Sequence, residues 1–227
     1  MINNKQAVQN LARKLVEANP SNLNEPDNYV AHTGQVYDLA YGVVGNILAK
    51  YHSIPLNREE VSLASGLHDI GRPLQSDQIF HELRGAKYIE IEGLESTGFS
   101  ASLRDRYRIA QMFRSHGCVY GFWQASECAE KRKEFEPLED CLLIPRSWQE
   151  AIVTYSDLAS HNGERIKVED RMSELLNRYE NDARYKDGIV VRVARAGLNR
   201  ILELAERVEA LEQGRLTEQD VARYGFL

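Results

Sequence analysis

Six histidine and aspartate residues are spaced along the sequence so that each could bind a metal ion. Two of them are adjacent, His68-Asp69, in the stretch LHDIGRP. Imidazole is a good ligand for zinc, iron, nickel or cobalt, whereas a carboxylate suits magnesium or manganese. One such pair cannot hold a metal alone, so further ligands must come from other parts of the chain. The other candidates are His32, His81, His116 and Asp157.

Each candidate ligand falls at an inward or terminal position of a predicted helix. His32 lies four residues before Val36, where apolar residues begin to recur at steps of three and four, so we expect it on the buried face. His81 begins one predicted helix, and His116 ends another. Asp157 lies within IVTYSDLAS, where an unpartnered buried carboxylate would be costly. Side chains that project inward from facing helices build metal sites of this kind.

Helical periodicity dominates the rest of the sequence. Residues 29–51 and 189–211 show apolar positions on one face, and no convincing alternating strand is present. Asn57 and Glu60 form a capping signal before the helix that leads to His68. We predict that Gly71 ends this helix in the left-handed conformation. The sequence predicts an all-α fold.

Composition limits the classes of function. The chain has 227 residues, of which 43% are hydrophobic and 27% charged, as expected for a globular domain with a sizeable core. No apolar run approaches the roughly 20 residues that span a bilayer, and a net charge of -6 argues against bulk binding to nucleic acid or an anionic membrane. Cys118, Cys128 and Cys141 lack paired spacing, so we interpret them as free thiols of a cytoplasmic protein.

The order of the candidate ligands resembles that of the HD superfamily of metal-dependent phosphohydrolases. The stretches HDIG and HELRGA add to the resemblance, which covers about residues 29–161. It implies an HD-domain helical bundle with additional N- and C-terminal helices. We therefore expect an N-terminal helix and linker in residues 1–28, the HD domain in residues 29–165, and a C-terminal helical extension in residues 166–227 packed on the same domain.

The resemblance implies a centre that holds two divalent ions and does not distinguish among Fe, Mn, Co, Ni, Zn and Mg. The ligands implied for the first ion are His32, His68, Asp69 and Asp157. Asp69 would also bridge to the second ion, which His81 and His116 would hold.

Phosphate chemistry needs further side chains around such a centre. The planar guanidinium group suits the oxygens of a phosphate. The candidates for substrate binding are Arg72, Arg84, Arg114, Arg146 and Lys87. Arg72 stands where many family members have lysine. Asp77 or Glu82 could donate a proton to the leaving group, and with Asp69 and Arg72 they complete the candidate catalytic residues.

The sequence therefore predicts a metal-dependent phosphohydrolase that cleaves a phosphate ester or anhydride of a small, nucleotide-like molecule by metal-activated hydroxide. Two alternatives stay open: a non-catalytic metal- or ligand-sensing module, and a di-iron oxygenase such as one branch of the superfamily contains. The expected partner is a small phosphorylated substrate, with no nucleic acid and no membrane. The apolar stripe of residues 193–208 could be core or the seam of a homodimer. The charged residues 127–140 could be a solvated face or a lid.

Overall fold

Eleven α-helices and one short hairpin make up the part of the chain that the computed structural model describes, residues 4–93, 102–182, 185 and 188–222. The helices are α1 (Asn4–Ala18), α2 (Pro26–Leu48), α3 (Arg58–Leu67), α4 (His81–Glu92), α5 (Leu103–Arg114), α6 (Val119–Gln124), α7 (Ala129–Arg132), α8 (Trp148–Leu158), α9 (Val168–Asn181), α10 (Ile189–Gln213) and α11 (Glu218–Ala222). Strands β1 (Ser160–His161) and β2 (Glu164–Arg165) pair antiparallel. The predicted all-α class is confirmed.

The start of helix α3 follows its local sequence. The Asn57 side chain accepts hydrogen bonds from the backbone N–H groups of Glu59 and Glu60, at 3.1 and 3.2 Å. These bonds satisfy two of the donors that a helix N-terminus leaves free. The predicted cap at Asn57 is therefore confirmed, whereas the Glu60 carboxylate, expected to complete a capping box, accepts from Arg108 instead.

The prediction for Gly71 was wrong. Its φ and ψ are -78° and -14°, which is right-handed, and it precedes a 3-10 turn at Arg72–Leu74. Glycine is needed here for space, because a Cβ on Gly71 would lie 1.9 Å from the carbonyl oxygen of His81 and 2.7 Å from the backbone nitrogen of Gly85. The backbone after His68 therefore crosses directly over the start of α4.

Two hydrophobic clusters hold the helices together. The larger one joins α1, α2, α3, α5, α8 and α10 through buried side chains such as Leu11, Val43, Leu67, Ile152 and Leu204. The smaller one consists of Phe80, Leu83, Val119, Trp123, Cys128 and Leu143. Helix α4 sends Leu83 into the smaller cluster and Ile89 into the larger one, so it lies between them.

The C-terminal stripe belongs to the interior of this single chain. Ile201, Leu204 and Val208 are buried in the larger cluster, which favours the core interpretation over a dimer seam. The three-part division at residues 28 and 165 stays a prediction, as does the homodimer. Among the described helices, none has both the length and the apolar character needed to cross a membrane.

Candidate metal centre

The six candidate ligands meet where five helices converge. His32 lies in α2, Asp157 is the penultimate residue of α8, and His81 is the first residue of α4. The other three follow the ends of helices: His68 and Asp69 come directly after α3, and His116 lies two residues beyond α5. Helix ends deliver most of these side chains because the backbone there can turn inward.

One half of the centre is built around Asp157. Its Oδ1 lies 3.1 Å from His32 Nε2 and 3.2 Å from His68 Nε2. The two imidazole rings meet edge to face, with centroids 5.4 Å apart. Two ring nitrogens therefore face one carboxylate oxygen, and these three residues could hold a metal ion.

The other half shares Asp69 with the first. Asp69 Oδ2 lies 3.5 Å from His68 Nε2, whereas Asp69 Oδ1 lies 2.8 Å from His81 Nε2 and 3.7 Å from His116 Nε2. The His116 ring centroid lies 5.0 Å from that of His68 and 5.5 Å from that of His81. Two further groups could hold a metal, one made of His68, Asp69 and His116 and the other of His81, Glu82 and His116.

Three of the imidazoles are oriented in the same way. Each Nδ1 bonds to the backbone carbonyl three residues earlier. The pairs are His68 with Ser65 at 2.6 Å, His81 with Gln78 at 2.8 Å, and His116 with Phe113 at 3.2 Å. A carbonyl only accepts, so these bonds place a ring proton on Nδ1 and turn Nε2 toward the centre. This is the arrangement that metal-binding histidines use.

Several of the inward atoms are buried without a hydrogen-bond partner. They include Nε2 of His68, Nε2 of His81 and Oδ1 of Asp69. Buried acceptors without a donor cost about 1–3 kcal/mol each, and more when charged. A divalent cation would be a common partner for all of them, so these residues fit a metal ion.

The charges of the centre also suit a cation. Burial raises the pKa of Asp69, but Arg72 and His68 outweigh it and hold that pKa well below its usual range. Burial and the nearby His68 lower the pKa of His116 to about 4. Burial also lowers the pKa of His68, but the carboxylates of Asp69 and Asp157 outweigh it and raise the pKa to about 10. A proton therefore competes with a metal for Nε2 of His68.

Phe80 shapes the entry to helix α4. It has a positive φ of 64°, in the left-handed region, which costs a non-glycine residue about 1–3 kcal/mol. Its ring is fully buried, with centroids 5.8 Å from those of both Trp123 and Phe135. This packing offsets the strain and turns the chain so that His81 faces Asp69.

Arg72 and Glu82 are the two predicted catalytic residues that lie beside the ligands. Arg72 Nε is 2.5 Å from Asp69 Oδ2, and its side chain is 37% exposed. Glu82 is 3% exposed, and its Oε2 lies 3.6 Å from His81 Nδ1.

The remaining predicted residues contact other parts of the chain. Arg84 Nη2 donates to the carbonyls of Asp77 and Ile79, and Arg114 donates to Glu90 and Gln111. Lys87 approaches the carbonyl of Glu134 at 3.5 Å, and Arg146 Nη1 lies 3.6 Å from Cys141 Sγ. The Asp77 carboxylate pairs with Lys131 at 2.5 Å. Substrate contact by Arg84 or Arg114 would require these bonds to break, so their roles stay predictions.

One supporting residue escaped the sequence analysis. Tyr29 is buried in the first turn of α2, and its hydroxyl donates to the backbone carbonyl of Asp69 at 3.2 Å. Its position three residues before His32, on the same helical face, is the feature that could have indicated it. Tyr29 thereby ties the helix of one ligand to the turn that carries two others.

The comparisons with known proteins add no relative to this arrangement of residues. Among known protein families, curated proteins and solved structures, none matches this chain. The resemblance to the HD superfamily rests on the order of the ligands, and the buried groups that could hold metal ions are compatible with it.

Proposed function

We propose that this protein is a metal-dependent phosphohydrolase of the HD superfamily that acts on a phosphate ester or anhydride of a small, nucleotide-like molecule. The observation that carries the proposal is the position of Asp69. Its Oδ2 faces His68 Nε2 at 3.5 Å, and its Oδ1 faces His81 Nε2 at 2.8 Å. A carboxylate whose two oxygens face different imidazoles is suited to bridge two divalent cations.

The residues around Asp69 would share the two cations. His32, His68 and Asp157 would hold one, and His81 and His116 the other. Two such cations, when bound, would lower the pKa of a water and neutralise the charge that builds up on a phosphoryl group during displacement. The Nδ1 bonds to backbone carbonyls hold the rings of His68, His81 and His116 in place. These rings would therefore need little reorganisation when the cations bind.

Substrate would reach the centre from the side of His32 and Asp157. Their side chains are 23% and 21% exposed, whereas His68 is fully buried. Arg72 is the partly exposed cation beside the ligands, and its Nε is occupied by Asp69. The terminal amino groups of Arg72 would therefore be the ones that hold a phosphoryl oxygen.

A small substrate also agrees with the charge of the chain. A net charge of -6 opposes binding to a polyanion. All three cysteines are free thiols, which supports the proposed cytoplasmic location because that compartment keeps thiols reduced.

A screen of metals against substrates tests the proposal. Purified protein would be loaded with manganese, iron, cobalt, nickel or magnesium and assayed on nucleotides, dinucleoside polyphosphates and simple phosphodiesters. We expect hydrolysis that requires metal and that is lost in Asp69→Asn, detected as phosphate from monoesters and as the cleaved nucleotide or alcohol from the other substrates. Metal binding without any hydrolysis would favour the sensing module, and oxygen uptake would favour the oxygenase.

A further inference from the structure

We propose that Glu82 is a ligand of the second cation, which would then be held by His81, Glu82, His116 and the shared carboxylate of Asp69. The inference rests on the proposed function, because it assumes a cation at His81 and His116. It assigns Glu82 to metal binding, whereas the sequence analysis assigned it to proton transfer.

The burial of Glu82 is the first observation. The residue is the second of helix α4 and is 3% exposed. Acidic residues in the first turn of a helix interact favourably with its free N–H groups, but no such hydrogen bond satisfies Oε2 here. Within the described part of the chain, the only carboxylate oxygens buried without a hydrogen-bond partner are Asp69 Oδ1 and Glu82 Oε2. A buried carboxylate oxygen is unfavourable unless a donor or a cation is its partner.

The geometry around Oε2 points to a cation. One ligand atom from each of His81, Glu82 and His116 lies within 4.8 Å of the other two. The nearest imidazole nitrogen to Oε2 is His81 Nδ1 at 3.6 Å. That nitrogen donates its proton to the carbonyl of Gln78 at 2.8 Å, so it offers no hydrogen to Glu82.

The other carboxylate oxygen of Glu82 packs against the turn that carries His116. Gly117 follows His116 with a φ of 64°, and a Cβ placed on it would lie 3.9 Å from Glu82 Oε1. Among the described residues, the only ion-pair contact of Glu82 is with His81. No lysine or arginine of the described ranges therefore neutralises this carboxylate directly, and a cation between the two histidines would do so.

Glu82 would add a second carboxylate, beside that of Asp69, to the second cation site. Two imidazoles with two carboxylates give a mixed nitrogen and oxygen ligand set, which suits manganese or iron. Glu82 would also reduce the excess positive charge that two divalent cations and Arg72 leave in a buried space. The second cation would then be a tightly held part of the centre.

The substitution Glu82→Gln removes the charge and keeps the shape. The matched control is Glu92→Gln, an exposed carboxylate on the same helix. Bound manganese would be counted per chain after gel filtration, and its dissociation constants would be measured by titration. We expect two ions in the wild type and in Glu92→Gln, and one in Glu82→Gln. In Glu82→Gln the second ion should bind at least as weakly as when a residue that supports a ligand is lost, which lowers metal affinity by about 10–100-fold.

Thermal unfolding separates a ligand from a residue that only stabilises the fold. After treatment with EDTA, Glu82→Gln should unfold at the same temperature as the wild type or higher, because a buried charge without a partner is removed. Added manganese should raise the unfolding temperature of the wild type more than that of the variant. A variant that unfolds earlier than the wild type in EDTA would overturn the inference.

The remaining outcomes separate the inference from the proposed function. A wild type that holds no ion overturns both. A wild type and a Glu82→Gln variant that both hold two ions with equal affinity overturn only the assignment of Glu82. If that variant also loses turnover with an altered pH profile, Glu82 is the proton donor instead.

Discussion

His81 Nε2 and Asp69 Oδ1 lie 2.8 Å apart, and both are buried in the centre. The ring proton of His81 is on Nδ1, where the carbonyl of Gln78 accepts it, and the pKa of Asp69 is held low enough to keep its carboxylate ionised. A lone pair on Nε2 and a carboxylate oxygen at this distance need a cation between them, which can be a proton or a metal ion. A metal ion held by this pair would have an imidazole nitrogen and a carboxylate oxygen as ligands.

The two aspartates of the centre should differ in how many ions they control. Asp69 faces His68 through one oxygen and His81 through the other, so Asp69→Asn should lose both ions. Asp157 lies close to His32 and His68 but 3.9 Å from His116, so Asp157→Asn should keep the ion at His81. Elemental analysis of the purified variants measures both. The control is Asp77→Asn, and two ions retained by Asp69→Asn would contradict the bridging role.

Arg72 should act on the substrate without holding the metal. The substitution Arg72→Gln should leave the metal content unchanged and lower kcat/KM by about 10–100-fold, since a hydrogen bond to a charged group contributes about 1.5–3 kcal/mol. Arg13→Gln provides the control, because Arg13 is an exposed residue of helix α1 and is not one of the candidate site residues. Equal activity of Arg72→Gln and the wild type would show that the phosphoryl group binds elsewhere.

The crossing of Gly71 over helix α4 should tolerate no side chain. A Cβ there would overlap the backbone of His81 and Gly85, so Gly71→Ala should cost about 3 kcal/mol or more of unfolding free energy. Gly42 lies within α2, and a Cβ on it would meet nothing within 4 Å. Gly42→Ala should therefore add about 0.5–1 kcal/mol through helix propensity. Urea unfolding measures both changes, and equal values for the two variants would contradict the crossing.

Glu212 should make stability depend on pH. It accepts hydrogen bonds from Arg165 and Asn46. Burial raises its pKa, but these partners outweigh the burial, and the pKa lies below the ordinary value of 4.5. A lowered folded pKa means that the contribution is complete above pH 4.5 and is lost as the pH falls through the folded value.

The substitution Glu212→Gln tests this pH dependence. Because the Arg165 side chain is 40% exposed, we expect a loss of only about 1–2 kcal/mol at pH 7. Urea unfolding between pH 7 and pH 3 should show this difference shrinking toward the acid end. Glu206→Gln, an exposed position on the same helix, is the control. A difference that stays constant with pH would contradict the ionic role.

Local patterns predicted the features that depend on neighbouring residues. The cap at Asn57 and the helices that carry His32 and Asp157 follow from residues within one or two turns. The inward direction of His68 and His81 depends on carbonyls three residues earlier, at Ser65 and Gln78. That detail requires the actual bend of the backbone, which apolar spacing does not specify.

Features that depend on distant parts of the chain were not predictable in this way. Arg114 pairs with Glu90, which lies 24 residues away, so its nearness to His116 in sequence was a poor guide to its contacts. Gly71 was predicted to be a helix cap from its neighbours in sequence. The reason for a glycine there is the backbone of α4, which lies against it and could not be foreseen from those neighbours. The burial of Glu82 beside His81 was not predictable from the sequence, because it is a tertiary property.

Helix α4 anchors its two ends in different interiors, with Leu83 in the cluster around Phe80 and Ile89 in the larger one. The smaller cluster is built mainly from the short helical turns between Val119 and Leu143. A partial opening confined to those turns would release Phe80 and loosen His81 while His32 and His68 stay held by the main body. Hydrogen exchange would then report two protection levels across the centre, and any ion bound at His81 would be lost at a lower denaturant concentration than one bound at His32.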